Sequence, residues 1–221
     1  MTRIVYLHGF ASGPQSSKAR YFRNLLECAG ASVSIPDLAE GDFEHITITS
    51  QLAVIDRVVD GQPAALIGSS LGGYLAALYA ARHANVTKVV LLAPAFGFAQ
   101  RWPERLGPAE LEAWRHTGAI NVFHYAENRN RKLGYQLLAD GERFEANPDF
   151  TQPALIFHGV DDDAVPARYS QEFAANHRNA ALEVLDAGHD LLNVLDYIAP
   201  KILRFLVDQN EIPCLTRYII A

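Results

Sequence analysis

The feature that most constrains this chain is an alternation of two periodicities. Short runs rich in β-branched and apolar residues occupy 3–7, 32–36, 64–68, 89–93, 154–158 and 181–186. Helical patterns lie between and after them, at about 14–29, 49–60, 71–84, 166–178 and 199–208. Most of the short runs are apolar on both alternating faces, as strands covered by helices on both sides must be. Pro166 and Pro200 fit first-turn helix positions, where a missing N–H costs nothing. A β-α-β order of this kind predicts an α/β fold with a parallel sheet and right-handed crossovers.

Composition narrows the partners. At 221 residues, 49% hydrophobic and 20% charged, the chain suits one globular domain and excludes disordered, collagen-like and coiled-coil classes. Nineteen Lys and Arg against 25 Asp and Glu leave a net charge of −6, the wrong sign for a general nucleic-acid or anionic-membrane binder. Cys28 and Cys214 form no CxxC pair, which excludes a disulfide framework and fits a reducing compartment. The apolar run after Arg3 is too short for a signal peptide, and no stretch approaches a membrane span. A soluble cytoplasmic protein is the expectation.

The interval 97–153 breaks the alternation. It holds no convincing parallel strand, and a structureless loop of that length is improbable in a compact domain. The sequence around Arg101-Trp102-Pro103, the stretch 108–116 and the stretch 129–138 read as short helices. An inserted helical cap is therefore expected. Its aromatics include Trp102, Trp114, Phe123, Tyr125 and Tyr135. They either face a substrate or hold the insertion to the core; Trp102, Trp114 and Tyr125 are the substrate-contact candidates.

Directly after the third apolar run stands Gly68-Ser69-Ser70-Leu71-Gly72, followed by an Ala-rich helical pattern. This is G-x-S-x-G at a strand-to-helix junction. A serine on a sharp turn projects its hydroxyl above the sheet, and the flanking glycines remove Cβ atoms that would collide there. The helix N-terminus adds positive potential where an oxyanion would form. Ser70, not Ser69, has the spacing of the nucleophile. The first strand runs into Leu7-His8-Gly9-Phe10, which places the N–H groups of Phe10 and Leu71 as the expected oxyanion-hole donors.

A serine nucleophile needs a base, and eight histidines compete. Only His189, in Ala187-Gly188-His189-Asp190, follows the last strand on a loop free to lean over the elbow. His158 merely ends a strand. The orienting acid lies among Asp161, Asp162 and Asp163; the spacing H-G-x-x-D-x-x-V-P selects Asp162, with Asp163 second. The alternative acid position, 93–97, holds no carboxylate. The order Ser70, Asp162, His189 is that of an α/β-hydrolase.

On these motifs the chain resembles the α/β-hydrolase superfamily over nearly its whole length. Segments 7–19 and 68–76 resemble the small bacterial esterases of the YqiA type. The stretch from Ala93 to Arg115 is similar to bacterial relatives of a mitochondrial acyl-thioesterase. The resemblance implies cofactor-free serine hydrolysis of acyl bonds on a small molecule. It also implies a minimal sheet of six strands in the order 2-1-3-4-5-6, because the chain starts at what would be the third strand of the full fold. No phosphate loop, dinucleotide turn or metal-ligand motif is present, so no metal is expected. Segment 208–221 matches no pattern; packing on the body, association into a homodimer and disorder are all open to it. Three activities fit this reading: ester or thioester hydrolysis, amide hydrolysis on the same side chains, and a catalytically silent binding protein. Glu104, Glu110 and Glu112 in the cap would favour the second if they bound a peptide amine.

Overall fold

The computed structural model describes residues 1–207; the segment 208–221, with Cys214, lies outside them. Strands β1 (Arg3–Leu7), β2 (Ser32–Ser34), β3 (Ala64–Ser69), β4 (Val86–Leu92), β7 (Ala154–Gly159) and β8 (Ala180–Leu185) form one parallel sheet. Its order is β2-β1-β3-β4-β7-β8, which is the expected 2-1-3-4-5-6 once the cap strands are left out of the count.

The helices cover both faces. Helices α1 (Ser17–Cys28) and α8 (Leu195–Leu206) bury Phe22, Leu26, Ile198 and Ile202 against Ile4, Tyr6, Ile67 and Val90 on one face. On the other, α2 (Ile48–Val59), α3 (Leu71–Ala80) and α7 (Arg168–Asn176) pack over Val5, Leu66, Val89 and Ile156. Successive strand residues feed opposite faces, which is why these strands read as continuous apolar runs. All ten residues of α3 are buried, and its alanines let it lie close to the sheet. Thr47 and Ser50 form a reciprocal capping box that starts α2.

Two expectations need correction. The helix at the chain's end starts at Leu195, not near 199, so Pro200 sits in its interior and not in its first turn. Pro166 lies just ahead of α7, whose cap is Ala167. The cap, moreover, is not wholly helical. Helices α4 (Phe98–Leu106) and α5 (Pro108–Thr117) lead into an antiparallel hairpin, β5 (Ala119–His124) with β6 (Arg129–Gly134), before α6 (Gln136–Gly141). The part of 129–138 read as helix is therefore mostly strand.

The cap is tied to the body at several points around the carboxyl ends of the strands. Tyr125 N–H donates to the Ala11 carbonyl at 2.8 Å, and Gln136 donates to the Glu44 carbonyl at 2.8 Å. Arg101 of α4 donates to the Ala164 carbonyl at 2.8 Å, and Thr49 N–H meets the Asp140 carboxylate at 2.7 Å.

Candidate active site

Ser70 occupies the turn between β3 and α3 with φ 54° and ψ −118°. A left-handed φ is costly for a serine and persists only where the surroundings impose it. Here they do. Ser70 N–H is held by the Leu92 carbonyl and its own carbonyl accepts from Gly73, Tyr74 and Ala95. The flanking glycines are sterically required. A Cβ on Gly68 would lie 2.2 Å from the Gly72 carbonyl oxygen, and one on Gly72 would lie 2.2 Å from the Leu7 carbonyl oxygen. Ser69, by contrast, is buried within β3.

The structure brings Ser70, His189 and Asp162 together from three separate loops. His189 Nε2 is 2.9 Å from Ser70 Oγ, and its Nδ1 is 2.7 Å from Asp162 Oδ2. Asp162 is chosen from its two neighbours by burial: its side chain is wholly enclosed, while Asp161 and Asp163 are exposed. Its Oδ1 accepts from the N–H groups of Ala164 at 3.0 Å and Val165 at 2.7 Å. The turn bonds that could have fallen to Asp163 are thus made by Asp162 itself. Burial opposes ionisation of Asp162. Hydrogen bonds from His158, His189 and Val165 outweigh it and hold the carboxyl well below the usual carboxylate range.

The Phe10 and Leu71 N–H groups donate to no group among the described residues, which leaves both open to a ligand. His8 fixes the first of them. Its Nδ1–H meets the Gly9 carbonyl at 3.0 Å while its Nε2 accepts from Leu38 N–H at 3.2 Å. In a trans peptide the carbonyl and the following N–H point opposite ways, so pinning the Gly9 oxygen orients the Phe10 N–H. Burial lowers the His8 pKa, against the pull of the Gly9 carbonyl and Asp37, and keeps the ring neutral.

Beside these donors lies a recess of about 230 Å³, open mouth included, walled chiefly by Phe10, Leu38, Phe43, Ile46 and Leu71. The cap aromatics divide around it. Trp102 is nearly buried and meets Phe10 edge-on at 6.3 Å. Trp114 has no exposed surface; it donates to the Leu133 carbonyl at 3.1 Å and packs on Trp102 and Tyr135. It binds α5 to the hairpin and presents no face to a ligand in this conformation. Tyr125 is 72% exposed, paired edge-on with Phe123 at the hairpin tip. Glu104, Glu110 and Glu112 are all exposed on the outer faces of α4 and α5.

Sequence reasoning passed over three side chains here. His8 stands in the turn after β1 and His158 opens the H-G-x-x-D-x-x-V-P motif that selects Asp162, but the motifs assign neither side chain a partner; Lys18 follows two serines at a helix start and stands in no catalytic motif. Lys18 is half-buried; desolvation pushes its ammonium down to about 8 against the attraction of Asp190 and Asp162. No group of three or more His, Cys, Asp or Glu among the described residues could hold a metal ion. No helix among them is long and apolar enough to cross a membrane.

Comparison with solved structures places the fold. Est1E from Butyrivibrio proteoclasticus, solved with ferulic acid bound, is 21% identical with a TM-score of 0.79, over 95% of this chain and 90% of that one. Mouse alpha/beta hydrolase domain-containing protein 10 is 19% identical with a TM-score of 0.77, over 92% and 88%. The monoacylglycerol lipase of Paleococcus ferrophilus is 18% identical with a TM-score of 0.75, over 92% and 93%. The chain therefore has the α/β-hydrolase fold. A search of curated proteins found no match. Residues 3–207 match the family described as Uncharacterised protein family (UPF0227), and on that match, which spans both the β1 turn and the serine elbow, the chain belongs to this family.

Proposed function

We propose that this protein is a serine hydrolase that cleaves a carboxylic ester or thioester through an acyl-enzyme. The observation that carries the reading is the hydrogen-bonded chain from Ser70 Oγ through His189 to Asp162, set on a strained elbow. Ser70 Oγ attacks the acyl carbonyl as His189 Nε2 takes its proton. The Phe10 and Leu71 N–H groups receive the oxyanion, and Asp162 stabilises the imidazolium. Collapse expels the alcohol or thiol, which takes the proton back from His189. Water then repeats the sequence on the acyl-enzyme and releases the acid.

That Est1E holds ferulic acid and another relative by fold is a monoacylglycerol lipase supports acyl-ester chemistry over amide cleavage. The cap offers no support for a peptide-amine site at Glu104, Glu110 and Glu112, since these three face solvent.

A p-nitrophenyl ester series with a fluorophosphonate probe tests the reading. Wild type should be labelled once, at Ser70, and hydrolyse the esters. Ser70→Ala should lose labelling and at least about 10³-fold in kcat. Equal labelling of the two proteins would overturn the assignment.

A further inference from the structure

His158 lies next to the end of β7 with no exposed surface, and the reaction steps above leave it unused. Its Nε2 lies 2.7 Å from the Val165 carbonyl oxygen and 3.0 Å from Oδ2 of Asp162. A carbonyl and an ionised carboxylate can only accept, so Nε2 carries the hydrogen. Nδ1 is then the acceptor, and the hydroxyl of Ser170, fully buried on α7, donates to it at 2.7 Å. Partners on both sides fix the tautomer. The carboxylate oxygen beside His158 is the one that His189 Nδ1 meets at 2.7 Å, so a single oxygen lies between two imidazoles.

We propose that His158 is a positioning residue for the acid: its Nε2–H, bonded to the Val165 carbonyl and 3.0 Å from Asp162 Oδ2, fixes the carboxylate plane and limits the negative charge that Oδ2 presents to His189. The two effects are separable. Oδ1 is held by the Ala164 and Val165 N–H groups, and without His158 the Oδ2 edge is held by His189 alone. An oxygen relieved of one donor is also a stronger acceptor for the other, which makes the His189 imidazolium more stable and its ring more basic. Lys18 of α1 and Arg101 of α4 act on Asp162 through space, and Asp190 adjoins His189 and acts on Lys18. None of these is altered in the test, so a change in profile reports His158.

The inference rests on the serine-hydrolase reading. It is tested on the full chain with p-nitrophenyl acetate, kcat being corrected for folded protein by circular dichroism. His158→Leu removes both polar contacts, His158→Gln keeps an N–H near the Nε2 position, and Ser170→Ala frees the tautomer. The leucine variant should lose about ten- to a hundredfold in kcat, the order of a lost hydrogen bond to a charged group, with KM little changed. The acid limb of its kcat/KM profile should move to higher pH. Glutamine should restore the wild-type limb and most of kcat, and Ser170→Ala should move in the leucine direction by less.

A purely structural role would lower stability and leave the limb in place. Wild-type kcat and limb in every folded variant, or glutamine indistinguishable from leucine, would overturn the proposal. If leucine does not fold, Ser170→Ala decides, an unmoved limb counting against it. Wild-type activity that survives Ser70→Ala would instead sink the hydrolase reading itself.

Discussion

Lys18 shows at the residue scale what the site costs the fold. Partial burial pushes the Lys18 ammonium down to about 8, against the attraction of Asp190 and Asp162 and from 10.5 for an exposed lysine. The folded state therefore gives up the proton before the unfolded chain does. Between those two pH values the unfolded chain binds more protons, so stability rises with pH across that window, and the penalty is complete below it. Lys18→Met should consequently be more stable than wild type at neutral pH, and the difference should vanish above about 10.5. Urea melts at a series of pH values check this; a methionine variant less stable at neutral pH would show that the ammonium is better paired than its burial implies. Nothing in Ser16-Ser17-Lys18 distinguishes this lysine from a solvated first-turn residue. Ser70, Asp162 and His189 were legible because each stands in a motif that the chemistry spaces. The surroundings of His8, His158 and Lys18 were not: His158 opens the same motif as Asp162, yet the motif does not say that its Nδ1 meets Ser170 on α7, and His8 and Lys18 interact with Leu38 and Asp190 far along the chain.

At the scale of elements, the sheet was legible and the cap only partly so. Buried strands announce themselves by apolar runs, whereas the cap hairpin has one face in water and carries Arg129, Arg131 and Lys132. Its exposed register looks like a helix surface. The signals that could have found it are the alternation Ile120, Val122, His124 and the turn residue Asn128, whose φ is 51°. The same element separates the tryptophan from the tyrosine. Trp114 fills the joint between α5 and the hairpin, so Trp114→Ala should cost about 3–5 kcal/mol, as for other large buried side chains. Tyr125 is 72% exposed and packs edge-on against Phe123, so Tyr125→Ala should cost no more than about 1.5 kcal/mol. If the hairpin tip meets substrate, Tyr125→Ala raises KM with kcat held. Thermal melts and ester kinetics on both variants separate the two roles; a Trp114→Ala that melts like wild type would refute the joint.

For the whole molecule, the join between cap and body is where acid should act first. His8 follows β1 and His124 ends β5, and the His124 ring acts through space to lower the His8 pKa. The His124 ring stands edge-on to Phe43 at 4.6 Å, under the recess wall. Burial lowers both pKa values from 6.5; Asp37 raises both, Glu127 raises His124, and Arg129 and Arg131 lower it. A histidine kept neutral in the fold binds its proton more readily once unfolded, so each begins to cost stability as pH falls below about 6.5. Asp162 enters only lower, below about 3.8, where the unfolded chain starts to protonate and the folded carboxylate does not. Melting temperature should therefore decline in two stages on acidification, the first without any change in Asp162. Both tryptophans, Trp102 and Trp114, lie in the cap, so their fluorescence reports its release from the body. In the first stage the tryptophan signal should move ahead of far-ultraviolet circular dichroism, because charging at this join repels the hairpin before the sheet opens. The double variant His8→Gln with His124→Gln should flatten that stage and leave the lower one intact. A wild-type curve level from pH 6.5 to pH 5, or a first stage that survives the double variant, would place the acid sensitivity elsewhere than at this join.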